Sequence, residues 1–449
     1  HLAQVNGHAM ATKPHDLIYG LDDKPPFGAL LILGCQHIFL MSSTLVLPIV
    51  LVTEIGGTFD EVRSVIALTM IACGIGTIVQ AWRWRFIGSG FVCPNLCGPN
   101  FFIASMEAAW LGGLPLMRGM TIVAGLVEAV FSRFLHRLAF LFPPEITGLV
   151  VLMVAAGLVT LGVSKFLGIN FSGEPIQHNS VLIASASLLI MIGINLWGRG
   201  NLRLYSVFLG FACGYLLSLA LGVIPWGTLQ LVLSSPWLAL PLLDNSLDLA
   251  FDWSLVPVFV IVSITGALKS FGNLILCEKV NDEAWQAPNM RRISNGLLAD
   301  SVSVTVSGLL GGMASDTSAS NVALSKASGA TSRTIAYMAG GLFILLAFVP
   351  KIAGLLSAMP PPVMGAILIY VSSFMIVSGI QIILGGGMDT RKTFVIGIPL
   401  IFGLSLDITP ALFADVPDLL RPLFESSLTL STVLAVLLHQ LLRLGSTSR

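Results

Sequence analysis

The chain has 449 residues, no formal net charge, 55% hydrophobic residues and only 10% charged ones, with a mean hydropathy of +0.89. Soluble domains carry roughly 25% charged residues, so a water-soluble globule of this size is excluded. The neutral balance removes the basic footprint that nucleic-acid binding needs. What remains is an all-α polytopic protein of a cell membrane or bacterial inner membrane, with the lipid bilayer as its surroundings.

Residues 1–18 open with His-Leu-Ala-Gln-Val-Asn-Gly-His-Ala-Met and read as a tag remnant and N-terminal tail, with no cleavable signal peptide. Apolar runs follow at Phe27–Val52, Val65–Trp82, Met120–Phe142, Gly148–Val163, Val181–Leu196, Ser254–Leu276, Tyr337–Val349, Val363–Leu384 and Thr429–Leu442. A hydrocarbon core about 30 Å thick takes about 20 apolar residues per helix. With the less regular stretches between them these runs make about fourteen segments. The first run holds Gln36-His37, where His37 is either a hydrogen-bonded strut or a proton carrier.

"GSGFVCPNLCGPNFFIAS" (Gly88–Ser105) interrupts the pattern and predicts a short extended piece running into a half-helix near Asn100. The six cysteines lie almost all in apolar segments and read as buried free thiols. Cys93 and Cys97 have too little company for a zinc site, so no metal and no cofactor is expected. "FPPEITGLVVLMVAAGLV" (Phe142–Val159) returns much later as "MPPPVMGAILIYVSSFMI" (Met359–Ile376), with Pro-Pro, a glycine and an apolar run in the same order. Each copy starts a helix, because proline is tolerated in the first turn. An offset of about seven segments turns the copies over in the membrane, the plan of many secondary transporters.

In the second half, "VPVFVIVSITGALKSFGNLILCEKV" (Val256–Val280) places Lys269 and Asn273 at i, i+4, on one helix face. A lysine at the bilayer centre costs about 2.5–3.5 kcal/mol and needs an anion, carbonyls or water; the alternative is a side chain snorkelling to an interface. Asp300 opens the next span, and Asp316 sits in the second interruption, "SDTSASNVALSKASGATSR" (Ser315–Arg333). Either aspartate can pair with Lys269 or Lys326. The second interruption, with a half-helix near Asn321, mirrors the first. Irregular backbone at membrane depth is tolerated only inside protein or along a water-filled cavity, so the paired breaks point to a solute site.

The loop charges set the orientation. Arg83, Arg85, Arg133, Arg137, Arg199, Arg203, Arg291, Arg292, Arg333, Arg391 and Lys392 fall on one side, and Glu54, Asp60, Glu61, Asp244, Asp248, Asp252, Asp415 and Asp418 on the other. Arg63, Arg118, Lys165, Lys351 and Arg421 break the alternation. Both termini are then cytoplasmic.

"YGLDDKPPFGALLILGCQHIFLM" (Tyr19–Met41), the two Pro-Pro copies and "ASNVALSKASGATSR" (Ala319–Arg333) resemble the nucleobase–ascorbate transporter family over nearly the whole chain from Tyr19. The resemblance implies segments in two inverted sevens, with the third and tenth broken. It implies a core domain (residues 19–142 and 254–358) that slides against a gate domain (143–253 and 359–449). A homodimer importing purines, pyrimidines or ascorbate with protons or sodium is also implied. By position, Phe101 matches the aromatic near which the base lies, Asn321 the signature asparagine and Gly329 the signature's last residue. Departures stand beside these matches. Ser320 replaces Gln or Glu, Ala323 replaces Gly, Ser328 replaces Thr, and Lys269 and Asn273 stand where the family usually has Glu and Asp. A carboxylate accepts ring N–H groups whereas lysine only donates, so these cannot read the same edge. The change argues against sodium there and removes a protonatable carboxylate.

The expected solute contacts are Phe101, Lys269, Asn273, Ser320 and Asn321, supported by Gln36, His37, Asn100, Asp300, Asp316, Thr317 and Ser328. One substrate reading is a purine- or pyrimidine-like ring with Lys269 donating to it; the other is an organic or inorganic anion with Lys269 as fixed countercharge. A channel would need a continuous polar lining, whereas the breaks lie at two points. An enzyme would need clustered acids and histidines, whereas the seven histidines are scattered or terminal.

Overall fold

Pro94 and Pro99 lie within the first interruption, and neither can donate a backbone hydrogen bond. Between them the chain forms a three-residue strand, β1 (Asn95–Cys97), followed by a 3-10 turn at Pro99–Phe101. This computed structural model describes residues 14–444 apart from 16, 139–142, 170–174, 200–201, 203–205, 242–247, 286–287, 386, 414–415, 417–423 and 425–426. Most of the tail placed at residues 1–18, the loop charges Arg203, Asp244, Asp415, Asp418 and Arg421, and Phe142 of the first repeat copy lie outside the described residues.

In the first half, α1 (Phe27–Ser42) continues through a 3-10 turn into α2 (Val46–Glu54). Next comes α3 (Phe59–Ala81), started by a capping box between Thr58 and Glu61. After β1, α4 (Phe102–Leu138) holds two helical arms joined where Gly112 and Gly113 leave helical geometry. Gly113 has φ +69°, a conformation side chains disfavour. Then follow α5 (Pro144–Leu167), α6 (His178–Trp197), α7 (Ser206–Ala220) and α8 (Trp226–Ser234).

The second half repeats the order. It runs α9 (Val256–Asn281), α10 (Met290–Leu310), the strand β2 (Ser315–Thr317), the half-helix α11 (Ala319–Ala327) and α12 (Arg333–Ala347). After these come α13 (Pro350–Ser357), α14 (Pro361–Leu384), α15 (Thr390–Ile408) and α16 (Ser427–Leu444). Among the described residues, eight helical segments are long and apolar enough to cross a bilayer; α12 and α13, bent by 78°, make a ninth if they are one span, and α7 and α16 are shorter apolar helices. Leu189, Trp197, Leu216, Phe374 and Ile401 are exposed, as expected of side chains solvated by lipid.

The two repeat copies pack on each other. Both helices begin with proline at the first position, after the proline caps Pro143 and Pro360. A Cβ added to Gly148 of α5 would lie 2.7 Å from Gly379 O on α14, and one added to Gly365 would lie 2.8 Å from Gly162 O. Each copy thus offers an early and a late glycine, and early meets late in both directions. Gly74 of α3 and Gly340 of α12 make a similar reciprocal crossing, each added Cβ lying 2.7 Å from the other's carbonyl oxygen. Such close approach replaces the hydrophobic drive that lipid cannot supply.

Candidate functional site

At membrane depth every backbone N–H and C=O needs a partner inside the protein. The two breaks satisfy each other as an antiparallel pair, Asn95 opposite Thr317, Leu96 opposite Asp316 and Cys97 opposite Ser315. The pairing is extended by Gly98 N donating to Ala314 O (2.8 Å) and Ser318 N to Pro94 O (3.0 Å). Two threonines of α3 complete it: Thr77 Oγ1 accepts from Asn95 N at 3.0 Å and Thr69 Oγ1 from Met313 N at 2.9 Å. Beyond the strands, α4 follows the 3-10 turn, and α11 starts at Ser318, whose hydroxyl accepts from Asn321 N at 3.2 Å. That end carries unpaired N–H groups and a partial positive charge.

Side chains of α9 and α10 close around this pair. The Lys269 ammonium donates to Asp316 Oδ1 at 2.7 Å, and the Asn100 amide to Asp316 Oδ2 at 3.1 Å. The Asp316 side chain is 1% exposed and that of Lys269 28%. Asn273, one turn further along α9, donates to Thr317 O (3.1 Å) and Oγ1 (3.0 Å). The Thr317 hydroxyl donates to Ser270 Oγ at 2.7 Å, and Ser270 donates to Asp300 Oδ2. Asn95 Nδ2 donates to Asp300 Oδ1 at 2.5 Å. The network therefore joins both strands to both helices. His37 Nδ1 pairs with Asn321 Oδ1 at 2.7 Å, while Asn321 Nδ2 donates to Ser318 Oγ at 2.8 Å. Chemically, the site presents amides, hydroxyls and one ion pair, with no nucleophile–base arrangement in this network.

Most of the sequence-derived residues come together, and a few do not. Lys269, Asn273, Asn100, Asp316, Thr317, Asp300, His37 and Asn321 lie in the network just described. Ser320 stands at its edge, exposed, with its hydroxyl 3.0 Å from Ser318 Oγ. Ser328 lies at the far end of α11, where its hydroxyl donates to the carbonyls of Leu324 and Ser325. Gln36 is buried, and its Oε1 has no hydrogen-bond partner. Phe101 is fully buried, its ring 3.3 Å from where a Cβ on Gly266 of α9 would stand, so it is not open to a solute in this conformation. Asp300 is placed in the middle of α10 rather than at the opening of a span, because Asn289 caps the helix eleven residues earlier, accepting from Arg292 N at 3.1 Å.

Asn95, Ser270 and Glu128 were not singled out by sequence reasoning. Glu128 had a signal, an acid inside the apolar run Met120–Phe142. Asn95 and Ser270 had none, since small polar residues are common in spans and their partner, Asp300, is far away in sequence or on another helix.

A permease-family model matches residues 28–412. The xanthine permease XanP of Escherichia coli (strain K12) is 25% identical over 447 residues, spanning 95% of this chain and 95% of that protein. The nucleobase transporter PlUacP of Paenibacillus larvae is 25% identical over 432 residues, spanning 92% and 95%. In fold, the transmembrane domain of a cyanobacterium bicarbonate transporter, BicA, matches with a TM-score of 0.57 at 13% identity, covering 93% of this chain and 98% of that one. The family match takes in the Gln-His pair, both broken segments and both Pro-Pro helices, and the chain belongs to this permease family, the nucleobase–ascorbate transporters, as an integral membrane transport protein.

Proposed function

We propose that this protein is a secondary-active carrier that moves a purine- or pyrimidine-like small molecule across the bilayer, coupled to a proton or sodium ion. The observation that carries this reading is the state of Lys269. Its charge is matched by Asp316 at 2.7 Å, and an ammonium group has three donors, so two remain for a carbonyl oxygen of an uncharged ring. The exposed Ser320 hydroxyl stands at the edge of the same network. The names of the relatives, a xanthine permease and a nucleobase transporter, support the same class. An anion carrier with Lys269 as fixed countercharge would need that charge unmatched, and here it is not.

The motion we infer is of the elevator type. Helices α1–α4 and α9–α13 form the core domain, and α5–α8 and α14–α16 the gate domain, with both termini inside and two copies per assembly. Packing supports the division: α3 and α4 lie on α10 and α12 lies on α3, whereas α14 lies on α5 and α15 on α16. Ligand binding to the folded state raises apparent stability, so the test is thermal unfolding of purified protein with xanthine, uracil, urate, ascorbate, bicarbonate and chloride. Xanthine or uracil is expected to stabilise, and to enter proteoliposomes with saturation and trans-stimulation. Stabilisation by bicarbonate or chloride alone would overturn the reading in favour of an anion carrier.

A further inference from the structure

Glu128, on α4, is 1% exposed, and its Oε1 is buried without a hydrogen-bond partner. Glu128 lies beside Asp300, also 1% exposed, across the crossing of α4 and α10. Glycines bring the two helices this close. An added Cβ on Gly125, nearly one turn before Glu128, would collide with Thr305 Oγ1 of α10, and one on Gly308 of α10 would lie 2.8 Å from Arg118 O of α4. The contact is therefore built into the helix crossing.

Two carboxylates side by side and out of water cannot both be charged, so the pair holds a proton. Asp300 already accepts from Asn95 on Oδ1 and from Ser270 on Oδ2. Those donors favour the charged form on Asp300, which makes Glu128 the partner better placed to carry a proton. Four other titratable groups surround the pair: Asp316 of β2, held by Lys269 of α9, with Cys73 of α3 and Cys97 of β1 beside that aspartate. Among the described residues no cation forms a salt bridge with Glu128 or Asp300. Arg118, further along α4, directs its guanidinium to the carbonyls of Gly308 and Leu309.

We propose that Glu128 and Asp300 together form the proton-binding site of this carrier, taking up one proton from water and releasing it once per transport cycle. Asp300 bonds directly to Asn95 of β1 and, through Ser270, to Thr317 of β2. Loss of the shared proton leaves two adjoining carboxylates, whose repulsion acts on both strands at once. Movement of the strands that withdraws the Asn95 or Ser270 donor raises the affinity of the pair for the proton. The pair thus takes over the proton-carrying task for which the α9 position of Lys269 has no carboxylate. This inference rests on the carrier reading but not on the identity of the solute.

Infrared spectroscopy of the purified, ligand-free protein tests it without any substrate. A carbonyl stretch of a protonated carboxyl is expected at neutral pH, shifting in heavy water and on 13C-labelling of glutamate, and lost in Glu128→Gln. If Glu128→Gln does not fold, Asp300→Asn is expected to move the frequency of the labelled band. Absence of the band in the wild type, or a band unmoved by glutamate labelling or by these substitutions, overturns the proposal. In proteoliposomes, an imposed pH gradient is expected to drive accumulation of labelled xanthine in the wild type, and this is lost in Glu128→Gln. A protein that shows the band and moves no nucleobase refutes the solute assignment and leaves the proton site standing.

Discussion

In the first broken segment every residue from Phe91 to Phe101 is buried, and its polar side chains are the amides Asn95 and Asn100. In the second, Ser315–Ser318 are equally buried but include the carboxylate Asp316, and the segment then emerges at Ala319 and Ser320, which are exposed. The two amides of the first break each serve an aspartate of the second half, Asn95 serving Asp300 and Asn100 serving Asp316. His37 of α1 likewise serves Asn321 of α11. A duplicated backbone plan has therefore been filled asymmetrically: the first repeat holds, and the second carries the charge and reaches the exposed surface at Ala319 and Ser320. Symmetry of fold follows from the repeated placing of prolines, glycines and apolar runs. Chemistry is free to differ because a strand pair constrains backbone and not side-chain type.

The comparison breaks most sharply at Asp316. Asp316→Asn leaves the Lys269 ammonium without its anion inside the membrane. Removing one partner of a buried pair costs about 3–5 kcal/mol, and the partial exposure of Lys269 points to the lower end. Thermal unfolding in detergent is expected to show this loss, and adding Lys269→Met is expected to restore most of it, since removing both charges leaves nothing uncompensated. A near-neutral Asp316→Asn would mean that the charge of the second repeat is solvated by water instead. The first repeat should respond less. Asn95→Ala and Asn100→Ala each remove one hydrogen bond to a carboxylate, worth about 1.5–3 kcal/mol. Equal losses in both halves would erase the division between holding and charged repeats.

Much of this architecture was legible in the residues. Proline pairs and apolar runs marked the helices, and the i, i+4 spacing of Lys269 and Asn273 put both on the face of α9 that meets β2. The two polar interruptions were legible as well, because lipid leaves no other use for such stretches. The pairings were not. Which of Asp300 and Asp316 meets Lys269 depends on the relative height of α9, α10 and β2, and that height is set by glycine crossings between helices far apart in sequence. Phe101 matched its family position yet is fully covered in this conformation. Asp300 looked like a span opening because Arg291 and Arg292 make the first turn of α10 polar, although Asn289 caps the helix before them.

The smallest effect on stability, and the finest test of the asymmetry, is expected at Ser320. Ser320 is exposed, and its hydroxyl meets that of Ser318, so Ser320→Ala removes little that holds the fold together. Surface substitutions of this kind usually change stability by less than about 0.5 kcal/mol. If the exposed tip of α11 meets the solute, the same substitution removes one hydrogen bond to it. A hydrogen bond worth about 1 kcal/mol net makes binding roughly fivefold weaker, readable as a rise in Kd for the nucleobase that best stabilises the wild type. The two readouts separate the roles: a structural serine moves the unfolding temperature of the free protein, and a recognition serine moves the Kd alone. An unchanged Kd would place recognition deeper, at Lys269 and the buried amides, and the repeats would then differ in charge but not in which of them meets the guest.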